Sequence, residues 1–310
     1  MADNVLKSQL KGHLGNLTTE QEQALVVFKE NLTKAGLYTA ADNDENKVAS
    51  HDDPTLIRFL RARNFNPAAA QKQFADAENW RKKHNVPKLF SEINAEDLEH
   101  SRKFYPRWTG RRDKLGLPLY VYRLASLEPV QQELDAIPPD TRYHRIIVLY
   151  EFMTRFTFPL CSHLPHSTSP IPISSTTTII DLDSVSFGSM WKLRHHLQEA
   201  SRLSTANYPE TLHHIAIINS PSFFPTIWNW VKGWFDEGTR QKIHVLGRDP
   251  GTALCELIDV KDLPSVYGGQ LPWKYEDEPL LDEDTKLAVT EFPKGVAVFI
   301  DGKVIAPPPL

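Results

Sequence analysis

The sequence predicts an α/β protein: an all-helical N-terminal lobe, then a mostly parallel β-sheet with flanking helices. Two observations carry this. In the first third, apolar residues recur at spacings of three and four behind helix-start signals. From about Leu117, short strand-like runs alternate with helical patterns of ten or more residues, which implies crossover connections. The 310 residues are 41% hydrophobic and 24% charged, enough to bury a sizeable core.

The elements follow in order. Thr19 with Glu22 forms a capping box. Behind it Leu25, Phe28, Leu32 and Ala35 make one apolar stripe. The polar stretch 42–47 reads as a loop. Asp53-Pro54 reads as an N-cap with proline at the first helical position, opening a helix with Leu56, Ile57 and Leu60 and the basic run Arg58, Arg61, Arg63. Asn66-Pro67 repeats the signal. Its helix carries Ala70, Phe74, Ala77 and Trp80 and ends in Arg81-Lys82-Lys83, cations that suit a helix C-terminus. Pro87 and the Pro106 region mark the hand-over to the sheet. Strands are expected at 119–124, 176–182 and 215–219, and helices at 141–158, 188–203 and 224–235. Residues 296–300 and 304–305 flank Asp301-Gly302, a tight-hairpin signal. The acidic patch at 276–278 and 282–284 and the terminal prolines read as solvated. The division expected is 17–100, a helical lobe; 101–275, the main domain; and 276–310, an extension.

Composition excludes several classes. The net charge of -4 argues against a general nucleic-acid binder. Two cysteines, Cys161 and Cys255, build no disulfide framework and suit a reduced, cytoplasmic compartment. Residues 1–10 lack a signal-peptide pattern, and Met-Ala does not fit N-myristoylation. The apolar stretch 146–153 falls short of the roughly 20 residues of a membrane span, so any membrane contact is expected to be peripheral and transient. Hydrolase elbows, Walker loops and dinucleotide-binding turns are absent from the sequence. Cys161, His163 and His166 lack a second ligand pair at zinc spacing, so no metal is expected. On the helix from Gly188 the apolar face is Met190, Leu193, Leu197 and Ala200, which places His195 and His196 off that face. His213-His214 precede a strand.

Three segments together resemble the CRAL-TRIO family: LIRFLRARNFNPAAA at 56–70 with Trp80; TTTIIDLD at 176–183 with NYPETLHHIAIINSPSFF at 207–224; and KIHVLG at 242–247 with LPSVYGGQL at 263–271. The resemblance is closest to fungal phosphatidylinositol/phosphatidylcholine transfer proteins and covers roughly 17–272. It implies a deep hydrophobic lipid pocket closed by a gate helix, with no catalytic residue and no cofactor.

The segment 225–235 carries the gate in that resemblance. Ile227, Trp230, Val231 and Trp234 share one helical face, with Trp228 and Phe235 on other parts of the surface. A helix apolar on more than one side is either buried or changes its surroundings. As a gate, its tryptophans would dip into a bilayer interface, with Gly233 and 236–238 as hinges. Thr239 reads as an N-cap with Lys242 one turn along, a pattern that suits a phosphate. The resemblance places Thr239 and Lys242 at a phosphatidylinositol headgroup, with Arg63 and Glu210 around it. Asn64 stands where the family has lysine, so it can donate hydrogen bonds but brings no charge. For a phosphatidylcholine headgroup the resemblance implies Tyr120, Tyr150, Thr176 and Thr178. A third tyrosine position is Thr109, and an arginine position is Thr211. The same pocket would serve a carrier or sensor of a sterol, terpenoid or haem, or a module presenting phosphatidylinositol to a lipid kinase. An enzyme using Asp181, Asp183 or a histidine is the reading from a different class, and no spacing favours it.

Overall fold

The computed structural model describes residues 8–42, 47–234 and 237–306. The N-terminal lobe packs α1 (Thr19–Lys34), α2 (Asp53–Arg61) and α3 (Pro67–Lys83) around Phe28, Leu32, Leu56, Leu60 and Phe74. Two helix starts differ from expectation by one residue. Thr18, not Thr19, accepts the Gln21 amide, and the Gln21 side chain accepts the Thr18 amide in return. Asp52, not Asp53, accepts the Thr55 amide at 2.9 Å, so Pro54 is the second helical residue. Each place offers two adjacent capping residues, and spacing alone does not choose between them. Asn66 caps α3 through the Ala69 amide, as expected. Short helices α4 (Val86–Glu92) and α5 (Ala95–Ser101) lead to the sheet.

The main sheet has the order β1-β2-β3-β4-β5: β1 (Arg107–Arg112), β2 (Pro118–Arg123), β3 (Thr176–Asp181), β4 (Leu212–Ile218) and β5 (Ile243–Val245). Only β1 pairs antiparallel, and the other neighbours run parallel. Helices α6 (Gln131–Ala136), α7 (Pro139–Phe152) and α8 (Phe158–His163) separate β2 from β3. Helix α9 (Phe187–Asn207) separates β3 from β4. Helices α10 (Phe224–Val231) and α11 (Glu237–Gln241) precede β5. The helix expected at 141–158 is interrupted by a π turn, Met153–Thr157. Pro159 has no N–H for the carbonyl four residues back, so the ladder must loosen ahead of it. Beyond the sheet lie α12 (Gly251–Leu257), α13 (Glu283–Val289) and the hairpin β6 (Val298–Ile300)–β7 (Lys303–Ile305). Asp301 and Gly302 both have positive φ, the backbone a two-residue hairpin needs. The acidic patch is not wholly solvated: Asp282 caps α13 through the Thr285 amide and pairs with Arg112 at 3.0 Å.

The lobe is bolted to the sheet domain by polar contacts. Arg81 makes a bidentate pair with Glu151 at 2.6 and 3.0 Å, and the Tyr208 hydroxyl donates to Glu151 at 2.7 Å. Trp80 donates to the Tyr143 hydroxyl, and Gln73 donates to the carbonyls of Thr205 and Ala206 at the end of α9.

Candidate functional site

Alternation along the strands places one set of side chains on the helix-covered face that bounds a cavity: Tyr120 and Tyr122 of β2, Thr176 and Thr178 of β3, Ile215 and Ile217 of β4, Ile243 of β5. The register puts Tyr120, Thr178, Ile215 and Ile243 in one row across the sheet. Helices α7, α9 and α10 roof this face, enclosing about 290 Å³ of mostly apolar space. All four residues of the expected choline-side set, Tyr120, Tyr150, Thr176 and Thr178, line the same cavity. Tyr150 stacks on Tyr208 at 4.9 Å, and the Thr176 and Thr178 hydroxyls lie 3.2 Å apart. Thr211 also lines it. Thr109 is fully buried, its hydroxyl donating to the Leu119 carbonyl.

The gate segment divides differently from the expectation. Ile227, Trp228, Val231 and Trp234 line the cavity together with Phe224. Trp230 does not share that face. It is 40% exposed and packs edge-on against Phe187 and Trp191, each centroid 5.5 Å away. Phe224, the first residue of α10 and buried, sets the inner stripe, and Trp230 falls well off it. The α-helix stops at Val231 and a 3-10 turn, Lys232–Trp234, follows. Phe235 and Asp236 lie outside the described residues. Phe187 and Trp191, 43% and 48% exposed, complete an outer aromatic patch, with the Arg194 guanidinium 4.0 Å over Trp191. Sequence reasoning missed these two. Their signal was two large aromatics four apart at the start of a helix whose apolar stripe did not need them.

At the lobe boundary the structure joins Glu210 to Lys242. Lys242 Nζ lies 2.9 Å from Glu210 Oε2, and Arg61 reaches the same oxygen at 2.8 Å. Arg61, not Arg63, therefore meets Glu210. Arg63 lies past the end of α2, is exposed, and donates to the Ala62 carbonyl. Two residues on from Arg61, it falls on roughly the opposite side of the helix end, and the chain then turns through Asn64 and Phe65, both at positive φ. Thr239 is not an N-cap: it is the third residue of α11, and its carbonyl accepts the Lys242 amide. His13 bonds Arg61 at 2.8 Å, and burial lowers the His13 pKa well below its usual value.

The other histidines and carboxylates have structural roles. His196 lies on the buried face of α9, contrary to expectation, and burial takes its pKa down to about 4. His213 and His214 fall inside β4 rather than before it, and His214 stacks on His244 at 4.3 Å. His166 bonds the Thr168 hydroxyl. No group of three metal-ligating side chains occurs among the described residues. Asp181 Oδ1 accepts from the Asn219 side chain and the Asp183 amide, joining the β3 and β4 ends, and Oδ2 accepts from the Tyr267 hydroxyl. No helix among the described residues is long and apolar enough to cross a membrane.

Comparison with known proteins returns the same architecture. Residues 102–269 match the CRAL/TRIO domain, and residues 8–76 match the CRAL/TRIO, N-terminal domain. The chain is 32% identical over 258 residues to the Sec14 cytosolic factor of Schizosaccharomyces pombe, covering 83% of this chain and 85% of that protein. It is 32% identical over 259 residues to the phosphatidylinositol/phosphatidylcholine transfer protein SFH9 of Arabidopsis thaliana, covering 83% of this chain and 42% of that one. The solved structure of Sfh5 shares the fold, with a TM-score of 0.59 at 18% identity over 84% of this chain and 90% of that chain. The five-stranded sheet and most of the lobe and of the cavity lining lie within the family matches, and the chain belongs to the CRAL/TRIO family.

Proposed function

We propose that this protein carries single phospholipids between membranes, with phosphatidylinositol as its principal cargo. The observation that carries the reading is the apolar cavity closed by α10, whose outward Trp230 joins Phe187 and Trp191 of α9 in an exposed aromatic patch. The name of the SFH9 relative, a phosphatidylinositol/phosphatidylcholine transfer protein, points the same way. Two acyl chains hold roughly 30 methylenes, and exposing them to water would cost over about 20 kcal/mol. A cavity that replaces the bilayer core makes the exchange nearly balanced, and the barrier moves to opening the gate. The cavity of about 290 Å³ lies just below the roughly 300–1,000 Å³ of drug-sized sites, and displacement of α10 would supply the further room that a two-chain lipid needs.

Headgroup selection is assigned to Lys242, with Glu210 and Thr239; Arg63 and Asn64, exposed on the turn past the end of α2, make no contact with that group. Tyr120, Tyr150, Thr176 and Thr178 are proposed for phosphatidylcholine as a second cargo. A cytoplasmic carrier of this kind visits membranes transiently and can present phosphatidylinositol to a lipid kinase from the same pocket. The test is native mass spectrometry after incubation with liposomes of mixed phospholipids and sterol. Captured phosphatidylinositol supports the reading. Capture of sterol, a haem band in the visible spectrum, or no ligand at all overturns it.

Membrane docking is assigned to Phe187, Trp191 and Trp230, flanked by Lys192, Arg194 and Lys232. Aromatics of this type settle at the headgroup level, and cations favour anionic leaflets. Trp191→Ser is expected to weaken cosedimentation with anionic vesicles about tenfold, a loss of roughly 1.4 kcal/mol. It should leave the lipid captured per molecule unchanged, since Trp191 does not line the cavity. Undiminished vesicle binding by this variant would move the docking surface elsewhere.

A further inference from the structure

The cavity is apolar but not uncharged. Arg102, in the 3-10 turn just ahead of β1, is one of its lining residues. Its side chain is only 12% exposed. The guanidinium carbon sits 4.7 Å from the ring centre of Phe292 and 5.4 Å from that of Phe152, and both rings also line the cavity. Among the described residues, one carboxylate comes within salt-bridge reach: Glu99 Oε2, 3.1 Å from Nε. The alignment is poor, and neither Nε nor Nη2 has a hydrogen-bond acceptor. The other Glu99 oxygen is already taken by the Gly295 amide at 2.8 Å. More distant charges oppose each other, Glu278 favouring the cation and Arg107 disfavouring it.

A guanidinium presents five donors in a planar fork, and a buried donor without an acceptor costs roughly 1–3 kcal/mol, more when charged. Neighbouring rings supply attraction to the face of the cation but accept no N–H bond in its plane. Tyr120 lies near enough for Arg102 to act on its phenol electrostatically, and it lines the same cavity. In the chain Arg102 precedes β1 and the gate precedes β5, the two edge strands, which four interstrand steps of about 4.8 Å set roughly 19 Å apart.

We infer that Arg102, with Tyr120, binds the anionic oxygens of an amphiphile whose phosphodiester or carboxylate lies at the β1 end of the cavity, its chain running toward the gate. The inference rests on the cavity being a lipid site and adds a charge requirement to it. A sterol or hydrocarbon would leave the fork unpaired. An oxyanion fills it, and the fork suits two oxygens of one head.

The test uses the full chain and two variants, Arg102→Met and Arg102→Lys, with palmitate, hexadecanol and phosphatidylcholine as separate probes in native mass spectrometry. Palmitate and hexadecanol share a chain and differ in the head. The wild type is expected to retain at least one oxyanionic probe over hexadecanol. Arg102→Met should lose tenfold or more of that retention and bind hexadecanol as before. Arg102→Lys should fall between, keeping the charge without the fork. Whichever of palmitate and phosphatidylcholine loses more identifies the source of the oxyanion. For palmitate labelled with carbon-13 at the carboxyl, the wild-type signal should stay at the ionised position below pH 4; a carboxyl buried in apolar surroundings alone would be protonated near neutrality. Equal retention by wild type and Arg102→Met overturns this inference and leaves the carrier reading standing. Failure of the wild type to capture any amphiphile overturns both.

Discussion

Arg81→Met is expected to destabilise the protein by about 3–5 kcal/mol, the range for removing one partner of a buried ion pair. Glu151 is 2% exposed, and Arg81 supplies its bidentate partner across the lobe boundary. Without it the carboxylate keeps only the Tyr208 hydroxyl and a distant Arg155 at 3.9 Å. The double variant Arg81→Met/Glu151→Gln should recover much of the loss, because an uncharged amide removes the buried charge that makes the single change costly. Chemical denaturation of the three proteins checks this, and a loss under about 1 kcal/mol for Arg81→Met would mean that the pair contributes little.

The same pair gives a pH signature whose sign follows from its environment. Burial pushes the Glu151 carboxyl up, but Arg81 and the hydrogen bonds outweigh it and hold the group below its ordinary 4.5. A carboxyl with a depressed folded pKa contributes stability that is present above the unfolded pKa and is lost as pH falls through the folded one. In the wild type that loss lies below about pH 4.5. In Arg81→Met the burial effect is opposed only by the Tyr208 hydroxyl and Arg155, and the pKa rises. The deficit of the variant is then largest near neutrality and narrows as the pH is lowered.

Glu151 also shows where the sequence ceases to be readable. As one charge inside an apolar run, it excluded a membrane span, and its partner 70 residues earlier carried no local signal. The parallel core was legible because β3 and β4 are rich in β-branched residues, β2 carries valine between two tyrosines, and helix-length segments separate them. β1 (RWTGRR) was not, since its polar composition hides a strand that pairs antiparallel at the edge. β5 has three residues and so no period to read. The sheet face that carries Tyr120, Thr176 and Thr178 follows from alternation once the strands are placed. The gate stripe was centred wrongly because Phe224 was left out of it. Arg61 was passed over for Arg63 because the pattern does not show where α2 ends: Arg61 is its last residue and faces Glu210, and Arg63 falls two residues beyond it. Arg102 gave no sign at all: a basic residue in a short turn becomes notable only when burial and two phenyl rings surround it.

Lys242→Ala is expected to reduce phosphatidylinositol transfer between vesicles by roughly 10–100-fold, the loss of one charge-assisted hydrogen bond worth about 1.5–3 kcal/mol. The variant is informative because the fold should tolerate it. Lys242 shares Glu210 with Arg61, so its removal leaves the carboxylate paired at 2.8 Å rather than stranded. Arg61→Ala is a poorer probe: Arg61 also holds His13, and its loss would loosen the lobe as well as the site. The two headgroup assignments use different elements, Lys242 ahead of β5 and Tyr120, Tyr150, Thr176 and Thr178 inside the cavity. Any phosphatidylcholine transfer should therefore survive in Lys242→Ala. A parallel fall for both lipids, with unchanged thermal stability, would mean that Lys242 controls the gate rather than the headgroup. Unchanged phosphatidylinositol transfer would remove Lys242 from the site. The contact should also be sensitive to salt, since Lys242 is partly exposed and its attraction for a phosphate is screened within about 8–10 Å at ordinary ionic strength. The wild-type advantage over Lys242→Ala should shrink as salt is raised, whereas retention through the buried Arg102 should not.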